Sequence, residues 1–223
     1  MDNLNSIKIE AIDPEIPTIF VFGGLHGGIL HYGQYEFGNF LTSCSFNVNV
    51  VYIKDNFEQW YFKGLNNLSV NYIENINIFR DIIEKSFKGK KIFIGNSAGG
   101  FASILYGTYL NVEQVLSFSP QTFLDKKNRT KYKDTRWLEQ INNLHKFSNL
   151  DVYDLTNIKI KDTKIDIYYG DLCPHDHKHA MHMANMKNTS IHIVKGGEHH
   201  TTIKMLRDDG RLEKIIKKAI EIV

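Results

Sequence analysis

A serine-centred glycine turn constrains the fold of this chain more than any other feature of its sequence. The β-forming run 91–94 leads directly into GNSAGG at 95–100, and small, helix-compatible residues follow. A Gly-x-Ser-x-Gly pattern between a strand and a helix predicts a tight turn that projects the Ser97 hydroxyl above a sheet. Gly95 and Gly99 have no Cβ, which leaves room where the strand and the helix crowd together. The helix N-terminus beside Ser97 favours developing negative charge there.

Short apolar runs alternate with helical stretches along the chain, without repeats or a linker rich in proline or glycine. This alternation is typical of an α/β fold, in which helices flank a mostly parallel sheet. Several runs are continuously apolar, as expected for strands that are covered on both faces. Strands are predicted at 6–12, 18–22, 48–53, 91–94, 112–118, 164–169 and 190–194. Helices are predicted at 37–44, 69–87, 98–109, 178–185 and 202–222.

The chain length of 223 residues suits one domain, so we expect a single α/β domain over 1–223 with about seven strands. Within it, the segment 120–162 is polar, rich in lysine and asparagine, and mixed in periodicity. We interpret this segment as a small cap or lid insertion over the site. Two further segments, 55–62 and 119–122, follow strands at the sheet edge where α/β proteins bind ligands. The aromatic loop 55–62 either lines a substrate pocket or packs on the core.

Charge and cysteine usage exclude several classes of protein. A net charge of +2 gives no reason to expect a nucleic acid or an anionic membrane as partner. Residues 1–13 lack the long apolar core of a signal peptide, and no apolar run approaches the length of a transmembrane helix. The two cysteines, Cys44 and Cys173, lie far apart and outside any C-x-x-C pattern. We therefore expect a cytoplasmic protein with reduced thiols.

A serine hydroxyl becomes a good nucleophile only when a base takes its proton and a third group orients that base. The loop after strand 164–169 carries two acids, Asp171 and Asp176. We favour Asp176, because Asp171 directly follows the strand and can cap the loop backbone. Asp176 precedes a predicted helix, where a plain N-cap is the alternative role.

The base is predicted in the loop after strand 190–194, which carries His199 and His200. Adjacent side chains at a helix entrance point in different directions, so only one of the two can reach Ser97. We favour His200 as the general base, with His199 as the alternative. Cys173 does not qualify as a nucleophile, since it lies in the acid loop and not on a strand-to-helix turn.

An oxyanion in this reaction needs two preorganised N–H donors. One is predicted to be the backbone N–H of Ala98, directly after the nucleophile. The other is expected in the glycine-rich loop 23–28, where we assign Leu25, with Gly24 as the alternative. This loop has neither the lysine and hydroxyl pair of a P-loop nor the GxGxxG spacing of a dinucleotide site, so it does not predict a phosphate ligand.

A histidine cluster is the main feature that favours a metal. It comprises His175, Asp176, His177, His179 and His182, and the neighbouring loop adds two more histidines. The spacing matches no zinc-site pattern, and most of the cluster falls on a helix that we expect to be exposed. We therefore expect no functional metal and no cofactor.

Together these elements resemble the α/β-hydrolase superfamily over residues 18–203. More narrowly, the chain is similar to small bacterial hydrolase-like proteins whose genes often accompany glycosyltransferases and other surface-polysaccharide genes. The motifs that carry this likeness are FGG at 22–24, WY at 60–61, FSPQT at 118–122, D-x-RW at 134–137, D-x-x-HA at 176–180 and LRDDGRL at 206–212.

The resemblance implies a catalytic triad of Ser97, Asp176 and His200. It implies a serine hydrolase of carboxylesterase or deacetylase type that forms an acyl-enzyme on a small-molecule or carbohydrate ester. One alternative is an acyltransferase that uses the same triad with a sugar or another alcohol as acceptor. Another is a non-catalytic module that binds a carbohydrate or a protein partner on a hydrolase fold, because a fold does not fix a function.

Overall fold

A seven-stranded, mostly parallel sheet organises the computed structural model, which describes residues 6–25, 35–147, 150–198 and 202–221. The strand order is β1-β3-β2-β4-β5-β6-β7, and only the pairing of β1 with β3 is antiparallel. The predicted fold class is confirmed. The strands are β1 Ile7–Glu10, β2 Thr18–Phe22, β3 Asn49–Ile53, β4 Lys91–Asn96, β5 Gln114–Phe118, β6 Lys164–Gly170 and β7 Thr189–Val194.

Eight α-helices lie within the described residues, and none of them has the length and hydropathy that a bilayer span requires. They are α1 Gly38–Cys44, α2 Tyr72–Ser86, α3 Ala98–Leu110, α4 Lys126–Tyr132, α5 Leu138–Phe147, α6 Pro174–His182, α7 Thr202–Asp208 and α8 Arg211–Glu221.

The central strands are buried on both faces, and their side chains alternate between two cores. In β2, Phe20 and Phe22 belong to a cluster that includes residues of α2, α3 and α5. Ile19 and Val21 belong to a second cluster with residues of α1, α7 and α8. This alternation follows from the two-residue period of a strand, and it explains why the central strands are apolar throughout.

The observed helices differ from the predicted ones in three places. The insertion 120–162 contains two helices, α4 and α5, that its mixed periodicity did not indicate. Helix α6 starts at Pro174 and not at residue 178, because proline fits the first turn of a helix, where its missing N–H costs nothing. The predicted helix 202–222 is interrupted after α7, where Gly210 adopts a positive φ of 77°.

The insertion 120–162 contributes to the core as well as to the surface. Phe123, Leu124 and Tyr153 are fully buried, and Ile141 and Leu144 of α5 pack in the same cluster as the sheet. Its role as a lid over the site stays a prediction.

Parallel pairing places the carboxyl ends of six strands at one edge of the sheet. The loops that leave this edge follow β2, β3, β4, β5, β6 and β7. Because open α/β sheets bind ligands outside the carboxyl ends of their strands, residues far apart in sequence can meet here.

Candidate active site

Ser97 lies on a strained turn between β4 and α3. It is the N-cap residue of α3 with φ 56° and ψ −118°, a conformation that L-amino acids rarely adopt. Its backbone N–H donates to the carbonyl of Phe118 at 2.9 Å, which ties the turn to the end of β5. The side chain is 7% exposed. Backbone strain of this kind costs about 1–3 kcal/mol and clusters at functional sites.

The two flanking glycines are required by close backbone contacts. A Cβ on Gly95 would lie 2.0 Å from the carbonyl oxygen of Gly99, and one on Gly99 would lie 2.1 Å from the carbonyl oxygen of Phe22. Both contacts are with backbone, which cannot move aside. The turn therefore needs glycine on both sides of Ser97, as the sequence pattern predicts.

The loop after β2 lies directly beside Ser97. A Cβ on Gly24 would lie 3.7 Å from Cβ of Ser97. The Gly24 N–H donates to Oε2 of Glu36 at 2.6 Å, so this N–H already has a strong acceptor. The next residue, Leu25, is half-buried and packs against the core. Ala98 is the first residue of α3, so its N–H has no acceptor within the helix.

Gln121 contacts Ser97 from the loop after β5. Its Nε2 lies 3.1 Å from Ser97 Oγ, and its Oε1 accepts a hydrogen bond from Nε1 of Trp60 at 3.1 Å. Trp60 and Gln121 are almost completely buried. The aromatic loop 55–62 thus packs on the core, and its tryptophan reaches the site through Gln121.

Asp176 lies in the first turn of α6 and is 1% exposed. The N-cap of this helix is Cys173, so Asp176 is not an N-cap. The other predicted acid, Asp171, is exposed, and its Oδ1 accepts from the N–H of Gly196 at 2.7 Å. Asp171 therefore joins the loops that follow β6 and β7.

A buried ionic cluster connects the acid loop to the insertion. Nη1 of Arg136 donates to Oδ1 of Asp176 at 2.8 Å, and the same guanidinium binds both carboxylate oxygens of Asp134 through Nε and Nη2. Asp134 and Asp176 side chains are each 1% exposed. Burial alone would raise the pKa of Asp134, but the hydrogen bonds from His179 and Arg136 outweigh it and hold that pKa well below its usual range.

His179 completes this cluster as a neutral imidazole. Its Nδ1 accepts a hydrogen bond from the N–H of Thr122 at 3.0 Å, so the ring proton lies on Nε2, which is 2.9 Å from Oδ2 of Asp134. Burial lowers the pKa of His179 to about 4. The cluster therefore joins the end of β5, the insertion and α6.

The predicted histidine cluster does not converge on one point. His179 bonds to Asp134, His182 to Asp154 at 2.8 Å, and His177 to the hydroxyl of Tyr169 at 2.9 Å. Contrary to the expected exposure of this segment, Asp176 and His179 are buried. Within the part of the chain that the structure describes, no group of three or more His, Cys, Asp or Glu side chains is placed to hold a metal ion.

Both candidate bases, His199 and His200, lie outside the described residues. The residues before them are placed beside the acid loop. The carbonyl of Gly197 accepts from the N–H of Leu172 at 3.1 Å, and a Cβ on Gly170 would lie 2.3 Å from the Gly197 oxygen. The ends of β6 and β7 are thus in direct backbone contact.

Reasoning from the sequence missed two residues at this site, Gln121 and Arg136. Each was part of a motif, FSPQT and D-x-RW respectively, but neither motif indicates a contact partner. The position of Gln121 directly after a parallel strand was the available signal for a site residue. Arg136 had no such signal, because it lies in a polar segment that reads as solvated surface.

No protein-family model matches this sequence, and no curated protein matches it. Several solved structures, however, are similar to this protein. The capsule O-acetyltransferase of Neisseria meningitidis serogroup A superposes with a TM-score of 0.65 at 15% identity, over 99% of this chain and 93% of that enzyme. An α/β-hydrolase enzyme from the sediment metagenome of the Mar Chica lagoon gives 0.60 at 12% identity, over 97% and 95% of the two chains.

A third similar structure is the fluorophosphonate-binding serine hydrolase F of Staphylococcus aureus, with a TM-score of 0.58 at 12% identity, over 95% of this chain and 86% of that one. At these identities the likeness establishes the fold. The chain has the α/β-hydrolase fold, as the sequence predicts.

Replacing Gly99 with alanine should destabilise the protein by about 2–3 kcal/mol, because the new methyl group would overlap the carbonyl oxygen of Phe22. The matched control is Gly38→Ala, where the nearest atom to a new Cβ is 3.9 Å away. Urea unfolding of both variants measures the effect. Equal free energies of unfolding for the two variants would contradict the described packing of β2 against α3.

The buried, neutral state of His179 predicts a pH-dependent stability. The unfolded chain protonates this ring near pH 6.5, whereas the folded state does so only near pH 4. Between these values the unfolded state binds the extra proton, so stability falls as the pH falls. The loss is about 3 kcal/mol between about pH 7 and pH 4. In urea unfolding, the free energy of unfolding of His179→Gln should change with pH by this amount less than that of the wild type. An unchanged pH dependence would contradict the neutral state of His179 in the folded protein.

Proposed function

We propose that this protein is a serine hydrolase of ester bonds, of carboxylesterase or deacetylase type, with Ser97 as its nucleophile. The observation that carries the proposal is the strained conformation of Ser97 at the carboxyl edge of the sheet, with backbone packed on both sides. A binding module has no need for such strain. A nucleophile on this turn, in contrast, projects its hydroxyl away from the backbone and lies at a helix N-terminus that favours negative charge. A serine hydrolase and an α/β-hydrolase enzyme among the similar structures support the same proposal.

In the proposed reaction, Ser97 Oγ attacks the ester carbonyl while His200 takes the hydroxyl proton. The N–H groups of Ala98 and Leu25 hold the oxyanion of the tetrahedral intermediate. The alcohol leaves with the proton from His200, and an acyl-enzyme remains. Water then attacks this ester with His200 again as base, which releases the acid and restores Ser97. The bond from the Gly24 N–H to Glu36 favours Leu25 over Gly24 as the second donor.

We assign Asp176 as the acid that orients His200. Its burial and its place on α6 support this role, while the bond from Gly196 gives Asp171 a separate structural task. An imidazolium formed on His200 beside the Asp176 carboxylate would be stabilised by it, which lowers the free energy of the transition state in which that cation develops.

The substrate is a small-molecule or carbohydrate ester, and the proposed reaction needs no cofactor. The insertion 120–162 supplies Gln121 to the site and is proposed to cover it as a lid. Cys44 and Cys173 are both free thiols, which agrees with a cytoplasmic location.

Acyl transfer is the second candidate function. The observation that favours it is the TM-score of 0.65 with a capsule O-acetyltransferase, over nearly the whole of both chains. The same acyl-enzyme serves both reactions, since only the second nucleophile differs. Product analysis with and without a sugar acceptor distinguishes them: an acylated sugar indicates transfer, and free acid in both cases indicates hydrolysis.

A fluorophosphonate probe should label the purified protein at Ser97, because Oγ of an activated serine displaces fluoride from phosphorus. Mass spectrometry of the digested protein locates the adduct. We expect no labelling of Ser97→Ala, and a loss of about a hundredfold or more in rate for His200→Ala but not for His199→Ala. The reverse order of the two histidine variants would reassign the base.

The matched control for the nucleophile is Ser103→Ala, which removes a buried hydroxyl of the same helix that bonds to the carbonyl of Gly100. This variant should be labelled at the wild-type rate. An unlabelled wild-type protein that also hydrolyses no ester would overturn the proposal and leave a binding module as the function.

A further inference from the structure

The side-chain amide of Gln121 contacts the nucleophilic oxygen, and the reaction described above does not use it. We propose that Gln121 is a catalytic residue that donates a hydrogen bond to Ser97 Oγ and stabilises the negative charge developing on that oxygen. This inference rests on the proposed role of Ser97 as nucleophile. It adds to the two backbone donors a third one, which acts on the attacking oxygen and not on the carbonyl oxygen.

The orientation of the amide follows from its second partner. Nε1 of Trp60 can only donate, so the atom of Gln121 that faces it must be the oxygen. Nε2 then faces Ser97 Oγ at 3.1 Å, while Oε1 is 3.5 Å from the same Oγ. The shorter contact and the engaged oxygen both make Gln121 the donor in this pair.

Trp60 is itself held by a strained and strongly bonded loop. Glu58, Trp60 and Tyr61 all have φ between 50° and 65°. The buried carboxylate of Asp55 accepts from the backbone N–H of Gln59 at 2.7 Å and of Tyr61 at 2.9 Å. This carboxylate therefore stabilises a conformation that the chain would otherwise avoid, and that conformation aims the indole N–H at Gln121.

The backbone of Gln121 is fixed from the opposite side. The next residue, Thr122, donates its N–H to Nδ1 of His179 and its hydroxyl to the carbonyl of His179 at 2.8 Å. Gln121 thus lies between Ser97 and the ionic cluster, and hydrogen bonds restrain both its side chain and the backbone of the next residue. Preorganised donors stabilise charge effectively, because no free energy is spent on reorienting them during the reaction.

The donor can act at two points of the reaction. Negative charge develops on Oγ while the base removes its proton, before the bond to the carbonyl carbon is complete. It develops again when the acyl-enzyme breaks down and Oγ is the leaving atom. Both Gln121 and Ser97 are buried, so this bond acts in surroundings of low polarity, where it is stronger than in water.

The test compares Gln121→Met with the wild type, since methionine keeps the chain length and removes the donor. We expect the rate of fluorophosphonate labelling at Ser97 to fall about tenfold to a hundredfold, the range of a hydrogen bond to a charged atom. With p-nitrophenyl acetate, kcat should fall similarly while KM stays close to the wild-type value. Trp60→Phe keeps the Gln121 amide but removes the hydrogen bond that orients it, so the labelling rate of this variant should fall about two- to tenfold.

Gln114→Met is the matched control, because Gln114 is a buried glutamine at the opposite end of β5. It should keep the wild-type labelling rate, and circular dichroism should show all variants folded. Wild-type labelling of folded Gln121→Met would overturn this inference and leave the proposed hydrolase function intact. A wild-type protein without labelling or turnover would overturn both.

Discussion

The backbone contact between the Ser97 turn and strand β2 is the constraint on which the site depends. Gly99 approaches the carbonyl of Phe22 so closely that no side chain fits between them, and the Ser97 N–H bonds to the end of β5. The nucleophile is therefore held against the strands on both sides of β4. The same approach brings the loop after β2 beside Ser97, so the backbone strain at Ser97 and the position of the proposed oxyanion donors have one cause.

The second organising feature is the ionic cluster of Asp134, Arg136, Asp176 and His179. Buried charges are tolerated only when they are paired and hydrogen-bonded, and each of these groups meets at least one partner of the cluster. Because its members come from the insertion and from α6, the cluster fixes the acid loop relative to the segment that follows β5. Removing Arg136 would take a guanidinium partner from both buried carboxylates, so this arginine couples the stability of the insertion to the geometry of the site.

Five of the six motifs that support the family resemblance, all except LRDDGRL at 206–212, meet in this one region of the structure. Trp60 bonds to Gln121, Tyr61 donates its hydroxyl to the carbonyl of Gly23 at 2.8 Å, and Thr122 bonds to His179. These residues come from three different loops and from helix α6. Their shared location explains why motifs that are scattered along the sequence belong to a single functional unit.

Local patterns predicted the strands and the nucleophile turn because both depend on neighbours in sequence. Each of the seven strands overlaps a predicted one, several of them are continuous apolar runs, and the turn follows from the steric demands of Ser97. Trp60 and Gln121 are 61 residues apart in sequence, so no local pattern indicates their contact. The ion pairs of Arg136 with two buried carboxylates were equally hidden, since a charged residue in a polar segment indicates a solvated surface unless its partners are known.

The most direct test is a crystal structure of the protein after reaction with a fluorophosphonate. We expect phosphorus bonded to Ser97 Oγ, with its oxygen about 3 Å from the N atoms of Ala98 and Leu25. We also expect the imidazole of His200 between Asp176 and the phosphonylated oxygen. An adduct on another residue, or a phosphonyl oxygen directed away from both backbone donors, would contradict the assignment of this site.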